Sequence, residues 1–117
     1  MKELKFRVYD RLTNKIYEVV TIHFRTVFVE FQIDSGLVKR SSDKVEICQY
    51  TGMKDYSGKE IYEGDIIEYS NGMILRVGFM KGKFIGIYES IFGDEAYDIL
   101  KDVKVVGNIF ENYTERK

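Results

Sequence analysis

Residues 65–88 read DIIEYSNGMILRVGFMKGKFIGIY, and this stretch decides the fold class. Asn71-Gly72 lies between two hydrophobic runs and is a strong hairpin signal, because both positions tolerate positive φ. Lys81-Gly82 supplies a second turn. The pattern predicts three strands, over 65–69, 73–80 and 83–88, in an antiparallel meander. Small SH3-like barrels often enter their first strand through a Gly-Asp-hydrophobic segment such as Gly64-Asp65-Ile66. The expected class is therefore mainly β, with a small SH3-like barrel in the C-terminal part.

Period-two patterning continues toward the N-terminus. In residues 4–9, Leu4, Phe6 and Val8 alternate with Lys5, Arg7 and Tyr9, and residues 10–14 read as a turn. Residues 15–24 resume, with Val20, Ile22 and Phe24 predicted on one face and Thr21, His23 and Arg25 on the other. From Thr26 the parity flips to Val27, Val29, Phe31 and Ile33. A strand cannot change face without a bulge or tight turn, which belongs near Arg25-Thr26. Phe28 then joins Glu30 and Gln32 on the nominally polar face, marking either an interface or a sheet covered on both sides.

Residues 34–44 are polar and read as a loop or hairpin connection, and 45–50 as a short strand. Beyond the meander, Ala96, Ile99, Leu100 and Val103 sit at i, i+3, i+4 and i+7, which predicts at most one short helix starting near Asp94. Residues 104–110 return to strand character. The chain divides into a β-rich N-terminal part, 1–50, and a barrel-like part, 51–117, expected to pack as one compact unit. No internal repeat or low-complexity segment interrupts it.

Composition narrows the function. A chain of 117 residues with 44% hydrophobic residues can build a core without staples. Its formal net charge of -1 argues against a dedicated duplex nucleic-acid binder, whose affinity rests on phosphate neutralisation. Residues 1–50 carry nine Lys/Arg against seven Asp/Glu, and 51–117 carry nine against twelve, too small an asymmetry to imply a charged partner. One cysteine, Cys48, excludes an intrachain disulfide, and one histidine, His23, leaves few zinc ligands. Cys48 reads as a small buried hydrophobe and His23 as an exposed strand residue, so no Cys–His nucleophile is expected. The start, MKELKFRVYD, lacks an apolar signal region, and no run approaches the roughly 18 residues that span a bilayer. These features predict a soluble, cytoplasmic protein.

The stretch QYTGMKDYSGKEIYEGDII, residues 49–67, invites two chemical readings. Gly52…Gly58-Lys59 resembles a phosphate loop, but five residues separate the glycines and Glu60 stands where Ser or Thr would hold magnesium. Asp55, Ser57, Glu60, Glu63 and Asp65 resemble a calcium loop, but glycine falls at the fourth place and Ile66 at the twelfth. Turn chemistry fits better. Asp55 and Gly58 are the preferred ends of a type I turn, and Gly64 supplies a second reversal before Asp65.

The same words carry a family resemblance. YTGMKDYSGKEIYEGDIIEY resembles the signature of the YopX-like family of small phage and prophage proteins. Phe6-Arg7-Val8-Tyr9-Asp10 is similar to the family's N-terminal F-R-x-aromatic-D. Val105-Val106-Gly107-Asn108-Ile109-Phe110-Glu111-Asn112 is similar to its closing V-x-G-N-I-aromatic-E-N. The three pieces occur in the family's order, with Met53 where leucine is commoner, while 11–45 and 83–100 match only loosely. The resemblance implies a β-rich fold and a phage or prophage origin, with no established activity.

The expected function is a non-enzymatic accessory protein working through protein contacts, as a homo-oligomer or with a phage or host protein, and without cofactor, metal or membrane. Candidate partner-contact or structural residues are Tyr50, Lys54, Asp55, Gly58, Lys59, Tyr62, Gly64, Asp65 and Asn108. The alternative is single-strand nucleic-acid binding through FMKGKFIGIY, residues 79–88, where aromatics interleave with Lys81 and Lys83.

Overall fold

The computed structural model describes residues 3–111; Asn112, the last residue of the closing motif, lies outside them. The chain divides into two units, Met1–Gln49 and Tyr50–Lys117. Both are antiparallel β, and the helical content of the described residues is one 3-10 turn at Ser42–Lys44.

The first unit holds β1 (Phe6–Asp10), β2 (Lys15–His23), β3 (Phe28–Ile33), β4 (Gly36–Ser41) and the first half of β5 (Val45–Lys54), in the order β4-β3-β2-β1-β5. Its core is Val8, Val29, Phe31 and Val45, with Tyr17 stacked on Phe31 at 5.0 Å. The parity flip is a turn over residues 24–27, ending on Val27 at φ 46, a conformation that β-branched residues rarely adopt.

Two expectations are corrected in this unit. Val20 is exposed while Tyr17, Val19 and Ile22 pack on the core, because a register shift between Val19 and Thr21 reverses the face within β2. Phe24 is exposed in the turn that follows the strand. Residues 34–44 are more than the expected loop or hairpin connection, whose turn is confined to 34–35. They contain β4, a short edge strand that sends Val38 to the core and is otherwise polar or exposed, which hides its alternation. Phe28 is covered on its own side, stacked on His23 at 3.9 Å with the Lys39 ammonium 4.0 Å from its ring centre.

In the second unit, the later half of β5 pairs with β6 (Glu60–Tyr62). Five further strands are β7 (Asp65–Glu68), β8 (Ile74–Met80), β9 (Lys83–Ser90), β10 (Gly93–Tyr97) and β11 (Lys104–Asn108). They run β10-β9-β8-β7-β11, so the meander stands as expected, with β11 returning beside β7. The sheet does not close into a barrel: β10 and β11 remain its edges. The core comprises Ile61, Ile67, Leu75, Val77, Ile99 and Val103 among others. Gly86 permits close packing, since a Cβ there would stand 2.9 Å from the Tyr69 hydroxyl and 3.0 Å from Leu75 Cδ2.

The turn at Asn71-Gly72 differs in detail from its sequence reading, while Lys81-Gly82 turns the chain as expected. At Asn71-Gly72 only Gly72 has positive φ, +90, and it closes a three-residue loop: the Gly72 amide donates to the Tyr69 carbonyl at 2.9 Å, and the Tyr69 amide to the Met73 carbonyl at 2.8 Å. The two-residue turn with both φ positive falls instead at Lys81-Gly82. The helix near Asp94 is a correction too. Residues 93–97 pair with β9 as β10, so the ladder satisfies the backbone that a helix would have used. Ala96 and Leu100 are exposed while Ile99 and Val103 are buried, so the four apolar residues share no helical face.

Candidate functional site

The signature folds around one carboxylate. β5 ends at Lys54, and the chain reverses through Asp55, Tyr56, Ser57 and Gly58 into Lys59 and β6. The Gly58 amide donates to the Asp55 carbonyl at 3.0 Å and the Asp55 amide to the Lys59 carbonyl at 2.8 Å, the same bonding as the loop at Gly72. The Asp55 side chain, 6% exposed, ties the turn from inside. Its Oδ1 accepts the Ser57 amide (2.9 Å), the Ser57 hydroxyl (2.7 Å) and the Lys59 amide (2.9 Å). Its Oδ2 accepts the Val105 amide at 3.0 Å, which fastens the turn to β11.

Burial by itself would push the Asp55 pKa up. The donors from Val105, Ser57 and Lys59 outweigh that and hold it down at about 2, against 3.8 ordinarily. A carboxylate this acidic, with both oxygens occupied, is a poor base. It is a structural knot. The stability it confers is complete above the unfolded pKa and is lost as pH falls from about 4 toward about 2, amounting to about 2 kcal/mol. Urea midpoints at about pH 5 and about pH 2 check this: the fall in the native protein is expected to shrink by about that amount in Asp55→Asn, which has no such group to titrate.

The other candidate residues distribute around this knot. Tyr50 and Tyr62 are both buried, paired across β5 and β6 with ring centres 5.4 Å apart. Asp65, 1% exposed, accepts the Tyr62 amide at 2.8 Å and so closes the turn at Glu63-Gly64, where Gly64 has φ 90 and its amide donates to the Val77 carbonyl at 2.9 Å. Asn108 pairs in register with Asp65, and its side-chain oxygen accepts the Phe110 (3.0 Å) and Glu111 (2.8 Å) amides, ending β11. Gly58 has φ +89, and a Cβ placed there would meet nothing within 4 Å, so the turn needs this glycine for its backbone conformation and not for space. Lys54 and Lys59 are exposed. The structure thus turns Tyr50, Asp55, Tyr62, Gly64, Asp65 and Asn108 to building the fold, and leaves the two lysines available for contact.

Beside the knot lies a groove with a cavity volume of about 430 Å³, lined by Met53, Lys54, Asp55, Tyr56, Leu100 and Lys101. Tyr56 and Leu100 are exposed at 63% and 50%. The sequence does not announce this groove, because Leu100 and Lys101 come from the connection between β10 and β11, far along the chain from Tyr56. The β9–β10 turn carries a second feature that sequence reasoning missed: Ile91 and Phe92 are each 93% exposed.

Cys48 is buried on β5 and His23 ends β2, with β1 between those strands. His23 is held by Glu30 at 3.3 Å and by Phe28. Among the described residues, no three His, Cys, Asp or Glu gather closely enough to share a metal ion. None of their helices is long and apolar enough to cross a membrane. Within residues 79–88, Phe79 (55% exposed), Met80 and Lys81 face outward, whereas Phe84 and Tyr88 pack against the core and Lys83 pairs with Asp98 at 3.1 Å.

Fold and site together define a class of two-unit antiparallel β proteins whose signature is a carboxylate-tied turn. The chain belongs to the YopX protein family, whose model matches residues 5–114. Its fold is similar to that of protein EF1440 from Enterococcus faecalis, at TM-score 0.68 and 21% identity over 96% of each chain. No curated protein matches the sequence.

Proposed function

We propose that this protein is a non-enzymatic accessory protein of phage or prophage origin, acting in the bacterial cytoplasm through protein contacts and assembling with copies of itself. The observation that carries this reading is the β9–β10 arm. Ile91 and Phe92 stand 93% exposed at its tip, and β10 is an edge strand exposed from Gly93 to Ala96. Asp94 and Glu95 charge that edge, the usual protection against uncontrolled strand pairing, but the apolar tip has no such protection. Burying each of these two side chains in a partner would gain roughly 1.5–3 kcal/mol. The saturated carboxylate of Asp55 supports the absence of acid–base chemistry in the signature. Light scattering across micromolar concentrations is expected to give a mass above that of one chain, and a strictly monomeric protein overturns the self-assembly.

A second reading, single-strand binding, is favoured by Phe79 beside Lys81 at the β8–β9 turn, since exposed aromatics next to cations stack on bases. It leans on the SH3-like layout, of which the second unit has the meander and a late strand beside β7. Labelled single strands at low salt decide it: binding lost in Lys81→Ala/Lys83→Ala supports this reading, and no binding removes it.

A further inference from the structure

The apolar tip and the groove are complementary. The tip offers one aliphatic and one aromatic side chain followed by carboxylates, Ile91-Phe92-Gly93-Asp94-Glu95. The groove offers an apolar floor of Met53, Tyr56 and Leu100 flanked by Lys54 and Lys101, neither of which has an ion-pair partner among the described residues. The acidic residue in its wall, Asp55, spends Oδ1 on donors of its own turn and Oδ2 on the Val105 amide of β11. The neighbouring recess beside Tyr56 sets Glu68 and Asp102 against Lys104. A volume of about 430 Å³ lies within the usual range for sites that engulf a side chain or small ligand.

Within one chain the two features belong to opposite edges of the five-stranded sheet. The tip joins β9 to β10, one edge. The turn that walls the groove is fastened to the other edge: Asp55 takes the β11 amide of Val105, and the Tyr56 amide donates to the Val103 carbonyl at 3.0 Å. We propose that the Ile91-Phe92 tip of one copy seats in the Met53–Tyr56–Leu100 groove of a second copy, with Asp94 and Glu95 of the donor facing Lys54 and Lys101 of the acceptor. This rests on the self-assembly reading and names its contact. Donor and acceptor surfaces differ, so the contact is head-to-tail. Each assembly keeps an open tip and an open groove until a ring closes, and otherwise grows as a filament.

Both surfaces are exposed, so variants at them leave the cores intact. Ile91→Ser/Phe92→Ser removes the donor and Lys54→Glu/Lys101→Glu disables the acceptor. Each variant alone is expected to need at least about tenfold higher concentration to associate, as for loss of a central interface anchor. Mixed together, the two variants retain one working groove and one working tip between them, and are expected to give a species of two chains and nothing larger. Circular dichroism and urea midpoints matching the native protein verify folding. A native protein that is oligomeric, with mass unchanged in both variants, overturns this contact and leaves self-assembly standing. A mixture that stays monomeric overturns the head-to-tail geometry. A native protein that is itself monomeric throughout overturns self-assembly and this contact with it.

Discussion

Asp55→Ala is expected to lower the free energy of unfolding by about 3–5 kcal/mol, a large share of the 5–15 kcal/mol typical of a domain. The side chain is small, so lost packing is a minor part of this. The main cost falls on the donors it leaves behind. The Ser57, Lys59 and Val105 amides and the Ser57 hydroxyl all lose their acceptor, and Asp55 itself lies where water has little access. Ser57→Ala removes one of the four bonds and is expected to cost about 1 kcal/mol. Urea unfolding followed by circular dichroism measures both, with the midpoint falling and the slope unchanged. A cost for Asp55→Ala no greater than that for Ser57→Ala would mean that the turn holds without its carboxylate, and would reopen a contact role for this residue.

Half of this knot was legible in the sequence. Aspartate and glycine at the two ends of a four-residue segment announce the turn, and the positive φ of Gly58 follows from it. The bond to Val105 was not legible, because it joins residues 50 positions apart and depends on how β11 is laid beside β7. The meander over residues 65–88 was equally local, and its strands stand where alternation and turn residues put them. One failure came where a single residue changes the register. The shift between Val19 and Thr21 moved Val20 out and Val19 in, and period-two reading has no term for an inserted residue. For residues 93–103 the helical spacing of four apolar side chains was real, but pairing with β9 claimed the backbone first. Ile91 and Phe92 were not singled out in the sequence, because hydrophobicity does not reveal whether a turn leaves such residues exposed.

Asp10→Ala is expected to destabilise the first unit by about 3–5 kcal/mol, the usual cost of breaking a buried ion pair from one side. Asp10 closes the N-terminal motif Phe6-Arg7-Val8-Tyr9-Asp10 at the end of β1 and is 0% exposed. It accepts the Arg40 Nε at 3.1 Å, the Thr13 hydroxyl at 2.9 Å and, more weakly, the Leu12 amide at 3.4 Å. These bonds tie the turn after β1 to the edge strand β4. Burial raises the Asp10 pKa, but Thr13, Arg40 and Leu12 together hold it below its ordinary value. Arg40, whose side chain is 18% exposed, would be left facing a methyl group in the variant. Arg40→Met tests the pairing from the other side and is expected to be costly alone, since it strands the carboxylate. In Asp10→Ala/Arg40→Met neither charge is left uncompensated, so the double variant is expected to be more stable than the sum of the single losses, by about 1–3 kcal/mol. Additive losses in urea unfolding would show that Asp10 acts through Thr13 and the turn, with Arg40 a bystander. Coupling would make the aspartate of this motif the counterpart of Asp55: in each unit one buried carboxylate fastens a turn to a strand remote in sequence, and its charge is retained for that purpose.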